Sequence, residues 1–250
     1  MTNQIKFIAL LAIASLFTST GCTDDVTSGT LQLKLEETIG GEDFTFDQMI
    51  YAAAAGHTYS AITLKYYLSR VQIKSKDGAL LDLADVIYRD VRDGETQVIS
   101  FGEIPNGEYT SLEFVFGLDS VMNVDNGLEN TIENINMEWP IPGDQGYHYM
   151  KFEGKYDVYN MGEIHSYNIH LGATKGNQNY FHVSLALPPL MMNGSNWQIQ
   201  LGMDLNEWFQ NPEVYDFEEY GQAIMMNQSA QEHLKGNGMS VFTVMSVDKQ

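Results

Sequence analysis

Residues 60–75 read SAITLKYYLSRVQIKS, a stretch in which β-branched and aromatic side chains alternate with polar ones. Alternation with a period of two is typical of a β-strand that buries one face. The sequence Lys76-Asp77-Gly78 follows directly and favours a turn, which reverses the chain. This stretch therefore indicates an antiparallel β fold.

Shorter runs with the same alternation recur along the chain and are separated by Gly, Pro, Asn and Asp. They predict strands at residues 31–35, 86–91, 96–101, 109–117, 147–153, 166–171, 179–187, 197–205 and 241–247. Residues 122–136 are rich in Asn and Gly and predict a long loop. One helix is predicted at residues 221–235, with Ser229 and Glu232 in capping-box spacing and Gly236 at its end. We therefore predict an all-β fold, an antiparallel β-sandwich with long loops and one short C-terminal helix.

The chain is strongly acidic. Its 250 residues include 33 Asp and Glu but only 13 Lys and Arg, which gives a formal net charge of -20. A protein that follows a phosphate backbone needs clustered basic side chains, so we expect no nucleic-acid partner. The same charge argues against direct binding to anionic lipid. Cys22 is the only cysteine, so no disulfide can form within the chain.

Residues 1–22 have the features of a lipoprotein signal peptide. Lys6 precedes an apolar run at residues 7–17, which is too short to span a bilayer comfortably. The run ends at Ser19-Thr20-Gly21-Cys22, which resembles the site where a cysteine is lipidated and becomes the mature N-terminus. We predict a linker at residues 23–29 and one β domain at residues 30–250. The expected location is the outer membrane, facing the periplasm or the cell surface, with membrane contact through the lipid anchor only.

Chemistry-bearing side chains concentrate in residues 137–172, MEWPIPGDQGYHYMKFEGKYDVYNMGEIHSYNIHLG. This stretch holds Trp139 and three of the six histidines, His148, His165 and His170. Two paired strands here would bring histidines together, as a site for a soft metal requires. The alternative is that Trp139 fills the core and the histidines are half-buried polar residues.

Five segments in the same order resemble the MbnP-like family of periplasmic or surface copper-binding proteins. They read LQLKLEETIGG, YSAITLKYYLSRVQI, IPNGEYTSLEFVFGLDS, MEWPIPGDQGYHYMKFEG and YNIHLG. The tail, from LNEWFQNPEVYDF to MMNQSAQEHLKGNGMSVFTV, resembles the C-terminal portion of Bacteroidetes-type members, so the resemblance covers nearly all of residues 30–245. The resemblance implies a mostly β domain that binds copper as Cu(I), through histidines and a tryptophan. In the family, a partner di-haem protein of the cytochrome c peroxidase type oxidises that tryptophan to kynurenine.

The resemblance places the modified tryptophan at Trp139 and one histidine ligand at His170. The family often has a further histidine in the first strand, where this chain has Glu37, which we include as a candidate metal ligand. The family's HIGG-type segment is also altered, to HLGA at residues 170–173. His148 and His182 lie on flanking predicted strands and are candidate replacement ligands, with His182 expected to face His170 across the connection at residues 172–179.

Two further possibilities remain open. Oxygen-bearing side chains in the long loop suit Ca²⁺, although their spacing does not match an EF-hand: Asp119, Asn123, Asp125, Asn126, Glu129 and Glu133. No nucleophile elbow, phosphate loop or zinc-protease motif is present, so we expect no enzymatic activity. The leading hypothesis is a lipid-anchored copper-binding protein for copper acquisition or sensing. The alternative is a metal-free or calcium-binding surface lipoprotein that binds a protein or a carbohydrate.

Overall fold

The computed structural model describes residues 27–140 and 145–250. Its strands form two sheets. The first sheet contains β1 (Ser28–Ile39), β2 (Glu42–Asp43), β6 (Val98–Pro105), β11 (Asn196–Asp204) and β12 (Phe242–Lys249). The second sheet contains β3 (Tyr51–Ala52), β4 (Thr58–Ser75), β5 (Leu80–Asp90), β7 (Gly107–Phe116), β8 (His148–Asp157), β9 (Ile164–Gly172) and β10 (Phe181–Met192). The helices are α1 (Ile132–Asn136), α2 (Phe217–Tyr220) and α3 (Gln228–Gly238), and 3-10 turns lie at Gly94–Thr96, Val158–Asn160 and Leu205–Phe209.

The predicted all-β sandwich is confirmed, with two differences in detail. Strands β1 and β11 pair in parallel, whereas the other paired strands are antiparallel. The C-terminal helix begins later than predicted, because the Asn227 side chain caps it by accepting a hydrogen bond from the Ala230 N–H. The helix also continues past Gly236, since buried Asn237 donates to the carbonyls of Trp208 and Glu213 and holds the last turn.

Strand β4, which contains the alternating stretch, is the centre of the second sheet. Tyr66 pairs with β5 on one side and β8 on the other, and Leu68 pairs with β5 on one side and β7 on the other. Strands β7 and β8 therefore border the same edge of β4, one beyond the other. The connection between them, residues 117–147, starts and ends at this junction.

Alternation along β4 divides the buried side chains into two groups. Tyr66 and Leu68 face the first sheet and belong to the main core, while Tyr67 points to the other face. There it packs with Leu118, Met137, Tyr147 and Tyr149, all supplied by the 117–147 connection or the start of β8. Each fully buried side chain of this size contributes about 1.5–3 kcal/mol, so these contacts hold the connection against the outer face of the sheet.

The predicted signal peptide and Cys22 lie outside the described residues. Strand β1 begins at Ser28, within the predicted linker 23–29. Over residues 27–140 and 145–250, no helix is long and apolar enough to cross a membrane.

Candidate metal centre

The start of β8 and the end of β9 bring two histidines together. The ring centroids of His148 and His170 are 4.8 Å apart, with the ring planes at 90°. His148 pairs with Gly172, and the next pair is Met150 with Leu171, so two steps of β8 oppose one step of β9. This bulge changes the alternation of β8 and turns the His148 side chain toward the face that carries His170.

The hydrogen bond of His148 defines which ring nitrogen is free. Its Nδ1 lies 2.9 Å from the carbonyl oxygen of Met137. A carbonyl only accepts hydrogen bonds, so the proton is on Nδ1 and the lone pair is on Nε2. That Nε2 is buried and has no hydrogen-bond partner.

His170 has the opposite assignment. Its Nε2 lies 2.7 Å from the Oε1 atom of Glu153, on β8. This hydrogen bond lowers the pKa of Glu153 against the effect of its burial, so the carboxylate is ionised and accepts the bond. The Nε2 of His170 thus donates to Glu153, and in the neutral ring the lone pair is on Nδ1, which is also buried and has no hydrogen-bond partner. Histidines that bind metals usually donate a hydrogen bond from one ring nitrogen to a carboxylate or carbonyl and bind the metal through the other nitrogen.

The electrostatics keep His148 neutral. Burial lowers the pKa of His148 to about 3, and the charge of Lys151 acts in the same direction. The Lys151 ammonium group donates to the carbonyl of Asn136, next to the Met137 carbonyl that binds His148. These two bonds fix the end of α1, and with it the approach of the chain to Trp139.

Trp139 lies against the ring of His148. Its side chain is buried, its ring centroid is 4.8 Å from that of His148, and its Nε1 has no hydrogen-bond partner. The other side of the indole lies on Gly172, where an added Cβ would come within 2.4 Å of the Trp139 Cζ3 atom. Gly172 is thus required for this packing, whereas the neighbouring position accommodates Ala173 in the interior.

The donor set fits a low-coordinate soft metal. Two buried imidazole nitrogens without a hydrogen-bond partner lie on rings whose centroids are 4.8 Å apart, and imidazole suits copper. The part of the chain that the structure describes has no group of three or more His, Cys, Asp or Glu side chains placed to hold an ion. Structural zinc takes four ligands and Ca²⁺ takes six to eight oxygens, so neither fits two imidazoles as well as Cu(I) does.

The sequence model of the MbnP family matches residues 28–227, which include Trp139, His148 and His170. The chain belongs to the MbnP family. The predicted resemblance is confirmed, and membership indicates a copper-related extracytoplasmic protein.

The fold is also similar to a solved MbnP structure. MbnP from Methylosinus trichosporium superposes with a TM-score of 0.57, covering 90% of this chain and 99% of that chain at 12% sequence identity. Likeness at this identity shows the common fold alone. No curated protein matches the chain. The match to the family ends at residue 227, before α3 and β12.

Glu37 does not join the histidine pair of this MbnP-family protein, contrary to its expected role as a ligand. Its carboxylate binds the Arg89 guanidinium at 2.9 and 3.1 Å and accepts a hydrogen bond from the Tyr66 hydroxyl. Both charged side chains are only 3% exposed. They lie with Tyr66 on the inner face of the sheet, whereas His170 is on the outer face, so Glu37 serves as the partner of Arg89.

His182 is likewise separate from the pair, which corrects the expectation that it faces His170. It pairs through β7 with Ser69 of β4, whereas His170 pairs through β8 with Lys65. These positions are four residues apart along β4, or about 13 Å. The exposed His182 ring lies 5.9 Å from the ring of Tyr180.

Three of the side chains considered as calcium ligands bind protein groups at or near the ends of the 117–147 connection. Asp119 pairs with Arg70, Asp125 accepts from the Gly146 N–H, and Asn123 accepts from the Tyr147 N–H. Among the described residues no three of these carboxylates converge on one point.

Glu153, Lys151 and the Met137 carbonyl support the site but were not predicted. The alternation of residues 147–153 places Lys151 and Glu153 on one face of β8, which is a usable signal. Their meeting with His170 depends on the register between β8 and β9, for which the sequence carries no local signal.

Proposed function

We propose that this protein is an extracytoplasmic copper-binding protein that holds Cu(I) between His148 Nε2 and His170 Nδ1. The observation that carries the proposal is the pair of buried, unpartnered imidazole nitrogens on rings 4.8 Å apart. Leaving a buried lone pair without a donor is unfavourable, and a bound metal ion would satisfy both at once. The role we infer is copper acquisition or sensing, without catalysis.

Trp139 supplies the third wall of the site, and we propose that it is oxidised to kynurenine. With a di-haem peroxidase-type partner, two molecules of hydrogen peroxide each deliver one oxygen atom as the indole C2–C3 bond breaks, and their other oxygens leave as water. Hydrolysis of the resulting N-formyl group then releases formate. The product has a carbonyl and an aryl amine in place of the pyrrole ring. The indole N–H of Trp139 is buried without an acceptor, and its ring lies beside His148. Conversion to kynurenine would therefore place an aryl amine and a carbonyl next to this histidine. Peptide mass spectrometry of protein from its native host tests the change, and an unmodified Trp139 in cells that express the oxidase would contradict it.

We further propose that Cys22 carries a lipid that anchors the protein to the outer membrane, on its periplasmic or outer side. The support is the apolar run that ends at Ser19-Thr20-Gly21-Cys22. The replacement Cys22→Ser should release the protein into the soluble fraction. An unchanged membrane-bound fraction would contradict the anchor.

Competition with a coloured Cu(I) chelator tests the copper site. The parent protein should bind one Cu(I), and His148→Ala or His170→Ala should each lose about 3 kcal/mol, roughly a hundredfold in affinity, because few bonds share the binding energy. His182→Ala is the matched control, since that histidine is exposed on β10, and it should bind as the parent does. Equal binding by all four proteins would place the site elsewhere.

A further inference from the structure

Strand β9 is the last strand of its sheet, and residues 222–223 cover part of its outer edge. The Asn168 N–H donates to the carbonyl of Gln222, and Asn168 forms a parallel bridge with Ala223. Further along β9, the carbonyl of His170 and the N–H of Gly172 point to the same side. In a parallel pair, one residue of the neighbouring strand binds both groups: its own N–H donates to such a carbonyl, and its own C=O accepts from such an N–H.

The side-chain amide of Gln231 makes the two hydrogen bonds that a residue of a neighbouring strand would otherwise make. This residue of α3 is completely buried, and its Nε2 donates to the carbonyl of His170 at 2.7 Å. Its Oε1 accepts from the N–H of Gly172 at 3.1 Å. One amide thus satisfies both backbone groups, and its second N–H donates to the carbonyl of Ile224.

These two bonds act at the positions that define the metal centre. The backbone of His170 determines where its ring lies relative to Glu153 and His148, and Gly172 forms the surface on which Trp139 rests. Without the amide, a buried carbonyl and a buried N–H would lose their partners, and the end of β9 would move to regain them.

We infer that Gln231 is a positioning residue for the metal centre. Its bonds to the backbone of His170 and Gly172 fix the position of the His170 imidazole and of the backbone surface on which Trp139 packs. This inference rests on the proposed copper function. Gln231 lies in α3, beyond the residues that match the family, so family membership does not assign it this role.

The test compares Gln231→Met with a matched control on the same helix. Methionine has a similar volume and removes all three hydrogen bonds of the Gln231 amide. The control Asn237→Leu also removes a completely buried amide, but one that binds the carbonyls of Trp208 and Glu213, away from β9. We expect both variants to lose thermal stability, and only Gln231→Met to lose Cu(I) affinity, by about tenfold or more.

A second measurement uses copper-free protein, so that it does not depend on the proposed function. The NMR signals of the His170 ring and of the Trp139 Nε1–H should shift in Gln231→Met and stay in place in Asn237→Leu. If Gln231→Met does not fold, Gln231→Glu serves, since it keeps an acceptor for Gly172 but loses the donor to His170.

The outcomes separate the two claims. Unchanged NMR signals and unchanged Cu(I) affinity in Gln231→Met would overturn the positioning role while the copper site stands. A parent protein that binds no Cu(I) would contradict the proposed function, and the NMR comparison would then decide the role of Gln231 by itself.

Discussion

The imidazole of His148 stands perpendicular to that of His170, and each ring is fixed through one nitrogen while the other is free. A backbone carbonyl holds His148 through Nδ1, and a carboxylate holds His170 through Nε2. The nitrogens without a partner are thus Nε2 in one ring and Nδ1 in the other. Metal binding at each of them can therefore be followed separately.

Glu153 should matter to copper binding although it is not a ligand. In Glu153→Gln the acceptor for His170 Nε2 becomes a neutral amide, which weakens the bond that orients the ring. We expect a 10- to 100-fold loss of Cu(I) affinity, as for other partners behind metal ligands. Competition titration measures it, with Glu163→Gln as control because Glu163 binds His165 instead. Equal affinities for the two variants would contradict the role of Glu153.

Gly172→Ala should disturb Trp139. The new Cβ would lie 2.4 Å from the indole, so the ring or the end of β9 must move. We expect a loss of about 1–3 kcal/mol in the free energy of unfolding, as overpacking usually causes, and a shift in tryptophan fluorescence. Gly236→Ala, which meets nothing within 4 Å, is the control. Unchanged fluorescence and stability in Gly172→Ala would show that the indole does not rest on this residue.

Replacing Glu37 should lower stability and leave copper binding intact. In Glu37→Gln the buried Arg89 guanidinium loses its counter-charge, and breaking such a pair costs about 3–5 kcal/mol. Chemical denaturation gives the stability, and competition titration on the folded variant gives the Cu(I) affinity. A large loss of affinity in the folded variant would return Glu37 to the ligand set.

The ion pairs of His165 should stabilise the protein only at lower pH. His165 donates hydrogen bonds to the carboxylate of Glu218 and, with smaller effect, to that of Glu163, and these bonds raise the pKa of His165 above its ordinary value of about 6.5. Because the folded-state pKa is the higher one, the contribution is full below pH 6.5 and is lost as pH rises through the folded value.

The matched variant for this prediction is Glu218→Gln. Its melting temperature should fall furthest below that of the parent near pH 5, with a smaller difference near pH 9, and NMR titration should show a lower pKa for His165. A stability difference that grows with rising pH would contradict the assignment.

Local pattern predicted much of the fold. The alternation of residues 60–75 identified β4, the strand from which the second sheet is built. Helix α3 was predicted to begin at residue 221, before its actual cap, because the sequence pattern did not identify Asn227 as the residue that accepts from the Ala230 N–H and starts the helix.

Sequence could point to single residues of the candidate site but not to the contacts between distant residues. His170 and Trp139 followed from the family resemblance, and both lie beside His148. The bulge that turns His148 depends on how β8 registers with β9. Likewise, Glu37 meets Arg89 from 52 residues away, a distance in sequence at which no spacing rule applies.

Nitrogen-15 NMR of the histidine side chains, recorded before and after addition of Cu(I), tests the copper site most directly. In the copper-free protein, His148 Nε2 and His170 Nδ1 should be unprotonated, and the other nitrogen of each ring should carry the proton. Addition of one equivalent of Cu(I) should shift those two unprotonated nitrogens and leave both N–H groups in place. Signals that shift at His165 or His182 instead, or no shift at His148 and His170, would contradict the proposed centre.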